Sequence, residues 1–204
     1  MSQKTIGLDV SRETIERLEL YLELLRKWNP AINLVSKSSI DDAWDRHFMD
    51  SVQVYGHAPK GWLTWADFGS GGGFPGAVIA ILAMELNPEG RITLVESDQR
   101  KTAFLRTVFR ETGVTGDVIA GRVEAIPDLN SDIISARALA DLSSLFELSL
   151  PHTHGESTLL LSKGSAWQKE LTQAEESWSF SCTTHKSITD PNAIILKIES
   201  LNRV

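Results

Sequence analysis

Ile15, Leu18, Leu22, Leu25 and Trp28 recur at steps of three and four residues, the spacing of one face of a helix. Ser11 can cap that helix, and Asn29-Pro30 ends it, because the residue before a proline is pushed out of the helical region. A short second helix is expected from about Ile40 to Val54, with Asp41 or Asp42 in its first turn. Pro59 and Gly61 then mark a boundary, so residues 1–60 read as a small helical cap. The pattern changes beyond it. Leu63–Phe68, Ile92–Val95, Val118–Ala120, Ile133–Ser135 and Thr158–Leu161 are short apolar runs that predict strands. Helical stretches at Pro75–Leu86, Gln99–Glu111, Leu142–Leu148 and Trp167–Trp178 fall among them. Phe180–Thr184 and Ile194–Ile198 follow as two strands with no helix between them. Such alternation predicts an α/β domain over residues 61–204, mostly a parallel sheet with helices on both faces and an antiparallel edge.

The chemistry collects at the strand ends. Asp67-Phe68-Gly69-Ser70-Gly71-Gly72-Gly73-Phe74-Pro75-Gly76 lies between the first strand and its helix, where glycines allow a ligand close to the backbone. A dinucleotide fingerprint would need glycine at position 74, where Phe74 stands. The G-x-G-x-G spacing on a Rossmann-like sheet suits S-adenosylmethionine, which has no pyrophosphate to seat. Asp67 can meet the amino group of that ligand, Gly71 lies against it, and Glu96, ending the second strand, can accept both ribose hydroxyls.

The fourth strand ends in Ser135-Ala136-Arg137 and lacks the Asn/Asp-Pro-Pro-aromatic segment that orients an exocyclic amine. Carbon-5 methylation of a pyrimidine needs a cysteine nucleophile, whereas Cys182 lies on a late strand and reads as a core thiol. A ring nitrogen with a free lone pair needs neither device.

Composition narrows the class. Apolar residues at 42% and charged residues at 23% fit a globular chain of 204 residues. Residues 1–10 lack the apolar run of a leader, and Ala77–Met84 is too short to span a bilayer. The lone Cys182 closes no internal disulfide and suits a reducing cytoplasm. The five histidines form no metal-binding set; His152 and His154, in a Pro/Gly-bounded loop, are expected to be solvated. A net charge of −7 argues against tight, unspecific nucleic-acid binding, although a local basic patch can suffice.

The chain resembles the bacterial small-subunit ribosomal RNA guanine-N7 methyltransferases of the RsmG (GidB) type, from about Leu24 to Leu201. The resemblance is carried by Lys27-Trp28-Asn29 with Ile32-Asn33-Leu34, by Arg46-His47 with Asp50-Ser51, and by the glycine loop. Glu96-Ser97, Arg100-Lys101, Phe104-Leu105, Arg122-Val123-Glu124, Ala136-Arg137-Ala138 and Lys163-Gly164 extend it. It implies that residues matching Gly69, Phe74, Val123, Glu124 and Arg137 contact the cofactor, and that the substrate is 16S ribosomal RNA or the small subunit. It brings two departures. Glu96 stands where the family often has Asp, and Asp98, Thr102 and Ala103 make the following helix less basic.

Arg137 can hold the methionine carboxylate or an RNA phosphate, Lys163 is a phosphate candidate, and His47 can help the cap close. Trp28 can stack on RNA or pack the cap onto the main domain, the latter preferred. The expectation is an S-adenosylmethionine-dependent, metal-free enzyme, monomeric and off the membrane. Three rivals remain: a small-molecule methyltransferase on the same fold, an oxidoreductase (disfavoured by Phe74), and a non-catalytic RNA-binding module.

Overall fold

The computed structural model describes residues 7–204. Residues 1–6, which begin the expected cap and the stretch read as free of a leader, lie outside the described residues. Helix α1 (Arg12–Ile32) opens the fold, with the Ser11 side chain accepting the Thr14 N–H as its cap. It runs past Pro30 rather than stopping before it. Pro30 falls in the last turn, so a single ladder bond is lost there. The end is closed instead by Asn33 in the left-handed region, its N–H donating to the Asn29 carbonyl, while the buried Asn29 side chain accepts the Val35 N–H at 2.9 Å. The expected second helix begins later, as a π-helical turn over Trp44–Met49 that continues into α2 (Asp50–Gly56). Ser51 donates to the His47 carbonyl at 2.7 Å, satisfying an acceptor at that irregular turn.

Strands β1 (Thr64–Phe68), β2 (Arg91–Glu96), β3 (Asp117–Ala120), β4 (Ile133–Arg137) and β5 (Thr158–Lys163) are parallel. Strands β6 (Trp178–Lys186) and β7 (Ile194–Arg203) pair antiparallel, β7 against β5, giving the order β3-β2-β1-β4-β5-β7-β6. Helices α3 (Gly76–Leu86), α4 (Gln99–Thr112), α5 (Leu142–Ser149) and α6 (Trp167–Ala174) cover the sheet. Helix α6 stops short of the expected Trp178, which begins β6 instead. Trp178 is buried and meets the Phe146 ring edge-on, and Ser177 and Ser179 on either side make a strand-like alternation.

The cap joins the core of one sheet face. Leu18, Tyr21, Leu22, Leu25 and Phe48 share a single buried cluster with α3 and α4. Helix α3 is apolar on all sides because α1, α2 and the sheet enclose it. Trp28 packs against Phe104 at 5.7 Å, so its ring is used to hold the cap. Beyond the core, the Asp50 carboxylate accepts the hydroxyls of Ser187 and Thr189, each at 2.9 Å, fastening the cap to the β6–β7 turn. Cys182, on β6, is only half-buried, because the outermost strand has one face open. No described helix is long and apolar enough to cross a membrane.

Candidate active site

The five parallel strands place their carboxyl ends along one edge of the sheet, and the glycine loop rises from β1 there. Gly69 (φ 64°) and Gly71 (φ 57°) both take left-handed backbone, which side chains other than glycine rarely adopt. The Ser70 N–H donates to the Val95 carbonyl at 3.1 Å, and Gly73 N–H to the Ser70 carbonyl at 2.7 Å. Glu96 is buried, its oxygens accepting the backbone N–H groups of Gly71 at 2.8 Å and Asp98 at 2.7 Å. Each oxygen keeps a further lone pair, so the carboxylate orients the loop and can still accept from a ligand. Two of the three departures around α4 serve local structure. The Asp98 carboxylate caps the helix by accepting the Arg100 and Lys101 N–H groups, and the Thr102 hydroxyl donates to backbone carbonyls of Glu96 and Asp98.

Asp67 is fully buried beneath the loop. One oxygen accepts the Ser135 hydroxyl at 2.6 Å; the other has no hydrogen-bond partner among the described residues. Burial pushes its carboxyl up to about 6, against the opposing effect of the hydrogen bond from Ser135. His47 goes the other way: burial, then the charges of Arg137 and Arg46, lower it to about 4. The two have opposite consequences for stability. Asp67 stabilises the fold below its unfolded value near 4, and this is lost as pH rises through 6, by about 3 kcal/mol in all. His47 adds stability as pH rises from 4 towards 6.5, to a smaller extent because it is partly exposed. The slopes oppose each other in the wild type. Asp67→Asn should expose the histidine's: its melting temperature rises between pH 4 and 6.5 more steeply than the wild type's. Parallel curves in a pH series of thermal melts would refute the assignment.

Arg137 ends β4 and turns under the cap. Its Nη1 donates to His47 Nδ1 at 2.9 Å, and its guanidinium lies over the Phe74 ring, 5.1 Å from the centroid. His47 Nε2 donates to Ser39 Oγ at 2.9 Å, and Ser39 donates on to the Ser36 carbonyl. The imidazole is thus neutral with both nitrogens engaged. No carboxylate among the described residues reaches ion-pair distance of Arg137, and burial lowers its pKa. Tyr21 completes this corner from α1. Its ring stacks on Phe74 at 5.5 Å and its hydroxyl donates to the Gly72 carbonyl. A cleft of about 420 Å³ lies between cap and loop, with Gly69, Gly71, Phe74, His47 and Arg137 on its wall.

The remaining candidates lie apart from that cleft. Val123 is buried in a single 3₁₀ turn after β3, while Glu124 is exposed and pairs with Arg122 at 3.6 Å. Both line a second cavity of about 440 Å³ on the side of α5. His152, expected in solvent, is buried beside it. Its Nε2 donates to the Val123 carbonyl at 3.2 Å and its Nδ1 accepts the Leu129 N–H. His154 is half-buried and paired with Asp132 at 3.0 Å. Both histidines are drawn in because the chain there must re-enter the sheet at β5, where backbone groups need partners. Lys163, read from the sequence as a phosphate candidate, is already neutralised. Its buried Nζ meets Glu170 at 2.6 Å and donates to the Ala140 carbonyl, while Glu170 also accepts the Leu142 N–H. That pair holds the segment after β4 in place. Tyr21 belongs to no motif, and the sequence offers no signal for its role beyond its helical spacing from Leu18 and Leu25. No group of three or more His, Cys, Asp or Glu able to hold a metal occurs among the described residues.

The profile of the family described as rRNA small subunit methyltransferase G (GidB) matches residues 14–195. Ribosomal RNA small subunit methyltransferase G of Ruegeria sp. (strain TM1040) is 52% identical over 199 residues, covering 98% of this chain and 97% of that protein. The protein of the same name from Cereibacter sphaeroides (strain ATCC 17029 / ATH 2.4.9) is 46% identical over 97% of this chain and 96% of its own length. Among solved structures, cofactor-bound Rv0187 from MTB superposes with a TM-score of 0.61 at 13% identity, over 92% of this chain and 91% of that one. An O-methyltransferase from Bacillus cereus in complex with SAH gives 0.58 at 13% identity, over 95% and 93%. At such identity these two structures bear on the fold alone.

Proposed function

The chain belongs to the GidB family of small-subunit ribosomal RNA methyltransferases, and on that premise we propose that it methylates N7 of one guanine in 16S ribosomal RNA. It is an S-adenosylmethionine-dependent enzyme. The residues present fit that cofactor. A half-buried guanidinium with no carboxylate at ion-pair distance among the described residues can take an anion such as the methionine carboxylate, and left-handed Gly71 leaves room that a side chain would fill, its Cβ meeting nothing nearer than the Gly69 carbonyl at 3.7 Å. We assign Gly69, Gly71 and Phe74 to the methionine part, Arg137 to the carboxylate and Glu96 to the ribose, with Val123 and Glu124, outside the cleft in the turn after the strand that pairs with Glu96, assigned to the adenine. Asp67 supports the loop from below and adds a negative field. When bound, S-adenosylmethionine supplies a methyl group on positively charged sulfur, open to direct displacement.

The observation that carries the choice of N7 is the lack of a base on the cleft wall. The wall's histidine, His47, has both nitrogens engaged, and no Asp or Glu among the described residues lines the cleft. An exocyclic amine or a hydroxyl has a proton to lose; guanine N7 has an in-plane lone pair and none. The chain's task is then alignment of the base against the methyl carbon, with nearby carboxylates favouring the positive charge that develops on the purine. Residues 7–60 act as a cap over this cleft, and the enzyme is read as a monomer. A lone cysteine and a ribosomal RNA target fit work in the cytoplasm.

Single-turnover methylation of unmethylated small-subunit RNA tests this reading. With RNA and cofactor saturating, the rate should stay within about two-fold from pH 6.5 to 9, because no proton transfer limits it. A steep rise through one ionisation, removed by replacing one carboxylate or His47, would establish a catalytic base. Labelling of a metabolite pool in preference to the RNA would favour the small-molecule alternative.

A further inference from the structure

The cleft between cap and glycine loop has a wall of one sign. Arg46, Lys101 and Arg137 line it, and no carboxylate among the described residues does, in a chain whose net charge is −7. The cavity beside α5 is the reverse, with Glu124, Asp128 and Glu147 and no Lys or Arg among the described residues on its wall. Asp42 and Asp45 share the cap segment with Arg46, yet neither lines the cleft. Arg46 and Lys101 form no ion pair among the described residues, whereas Arg100, beside Lys101, pairs with Asp98 at 3.3 Å. Their position differs from that of Arg137. Arg137 is held inside by His47 and Phe74, whereas Arg46 is exposed on the cap and Lys101 is half-exposed in the first turn of α4. One cation thus comes from each side of the mouth.

We propose that Arg46 and Lys101 clasp a backbone phosphate of the RNA strand at the mouth of the cleft. This rests on the reading of the chain as a ribosomal RNA methyltransferase and adds where the strand is gripped. Arg137, deep in the cleft, takes the cofactor's carboxylate, so the anion for the two outer cations must come from solvent. An acidic chain repels a polyanion overall, and two unpaired cations at the site of chemistry supply attraction where the strand has to enter. The clasp spans cap and main domain, so phosphate binding would also draw the cap towards the loop.

The test compares the double variant Arg46→Gln/Lys101→Gln with a control of equal charge change, Arg12→Gln/Arg110→Gln, whose arginines lie away from the cleft and pair with Glu16 and Glu111. Binding to unmethylated small-subunit ribosomal RNA is measured across a salt series, and S-adenosylhomocysteine binding by calorimetry without RNA. The clasp predicts an RNA Kd raised on the order of ten-fold near 0.1 M salt, and a salt slope shallower by about one. Cofactor affinity should be unchanged, and the control should match the wild type. Weaker cofactor binding with unaltered RNA affinity would assign the two cations to the cofactor's carboxylate and overturn the proposal. Equal losses in both variants would reduce the effect to net charge, and no loss in either would remove the clasp. Failure of the wild type itself to bind or methylate the RNA would instead defeat the functional reading beneath it.

Discussion

Gly71→Val should abolish cofactor binding, raising the Kd for S-adenosylhomocysteine at least 100-fold, while the protein still folds. A Cβ placed on Gly71 meets nothing nearer than the Gly69 carbonyl at 3.7 Å, so the substitution does not collide with the protein. It projects into the cleft, where the ligand would lie. The backbone cost is confined to a left-handed φ of 57°, about 1–3 kcal/mol for a branched residue, which lowers the melting temperature without unfolding the chain. Gly73→Ala is the contrast. Its Cβ would fall on the Tyr21 hydroxyl and within 2.9 Å of Ala77, so its loss should be one of stability. Calorimetric titration beside thermal melting separates the two. Normal binding by a folded Gly71→Val would mean that the loop does not cradle the cofactor.

Arg137→Met should reduce methyl transfer at least 100-fold and leave the melting temperature nearly unchanged. A half-buried guanidinium with no carboxylate at ion-pair distance among the described residues has a desolvation cost that is not offset by an ion pair, and an apolar side chain of similar length removes that cost. The His47 Nδ1 loses its donor, a penalty of about 1 kcal/mol that largely offsets the gain. The loss of function is larger, because a charge-assisted hydrogen bond to a buried anion is worth roughly 1.5–3 kcal/mol, and misplacement of the methyl group adds to it. Arg137→Lys should recover only part of the rate, since a point charge cannot reproduce the planar fork that donates to His47 and lies over Phe74. Full activity in Arg137→Met, with unchanged cofactor affinity, would remove Arg137 from the site.

The sequence shows this fold well where the information is periodic and local. Strand ends at Phe68, Glu96, Ala120 and Arg137 follow from short apolar runs closed by glycine, acid or arginine, and the glycine loop is read from its spacing alone. Boundaries shift where a residue suits two states. Trp178 completes a helical spacing and also starts a strand, and burial against Phe146 decides for the strand. Pro30 signals an end that the buried Asn29 side chain postpones by stabilising the turn beyond it.

The candidate residues can be named one by one from the sequence, but not the network that joins them. Arg137 and His47 stand 90 positions apart, and no local rule pairs them. Nor does the sequence reveal that Lys163 is paired with Glu170, because that partner is chosen by the packing of α6 onto the sheet edge. His152 illustrates the same limit. In a loop rich in turn residues it reads as solvated, yet it bridges the Val123 carbonyl and the Leu129 N–H from a buried position. The Arg-His-x-x-Asp-Ser segment is explained only in three dimensions. Arg46 faces the cleft, His47 orients Arg137, Asp50 fastens the β6–β7 turn, and Ser51 closes the π-helical turn.

Base-level mapping of the transferred methyl group tests the central claim most directly. Small-subunit ribosomal RNA from cells lacking this enzyme is incubated with the purified protein and methyl-labelled S-adenosylmethionine, then digested and sequenced. The account predicts label on N7 of a single guanine, unpaired or turned out of its stack, and little label on a perfect duplex carrying the same guanine, because the major groove of A-form RNA is too deep and narrow to admit side chains. Label on an exocyclic amine, on a ring carbon or on a ribose hydroxyl would contradict it.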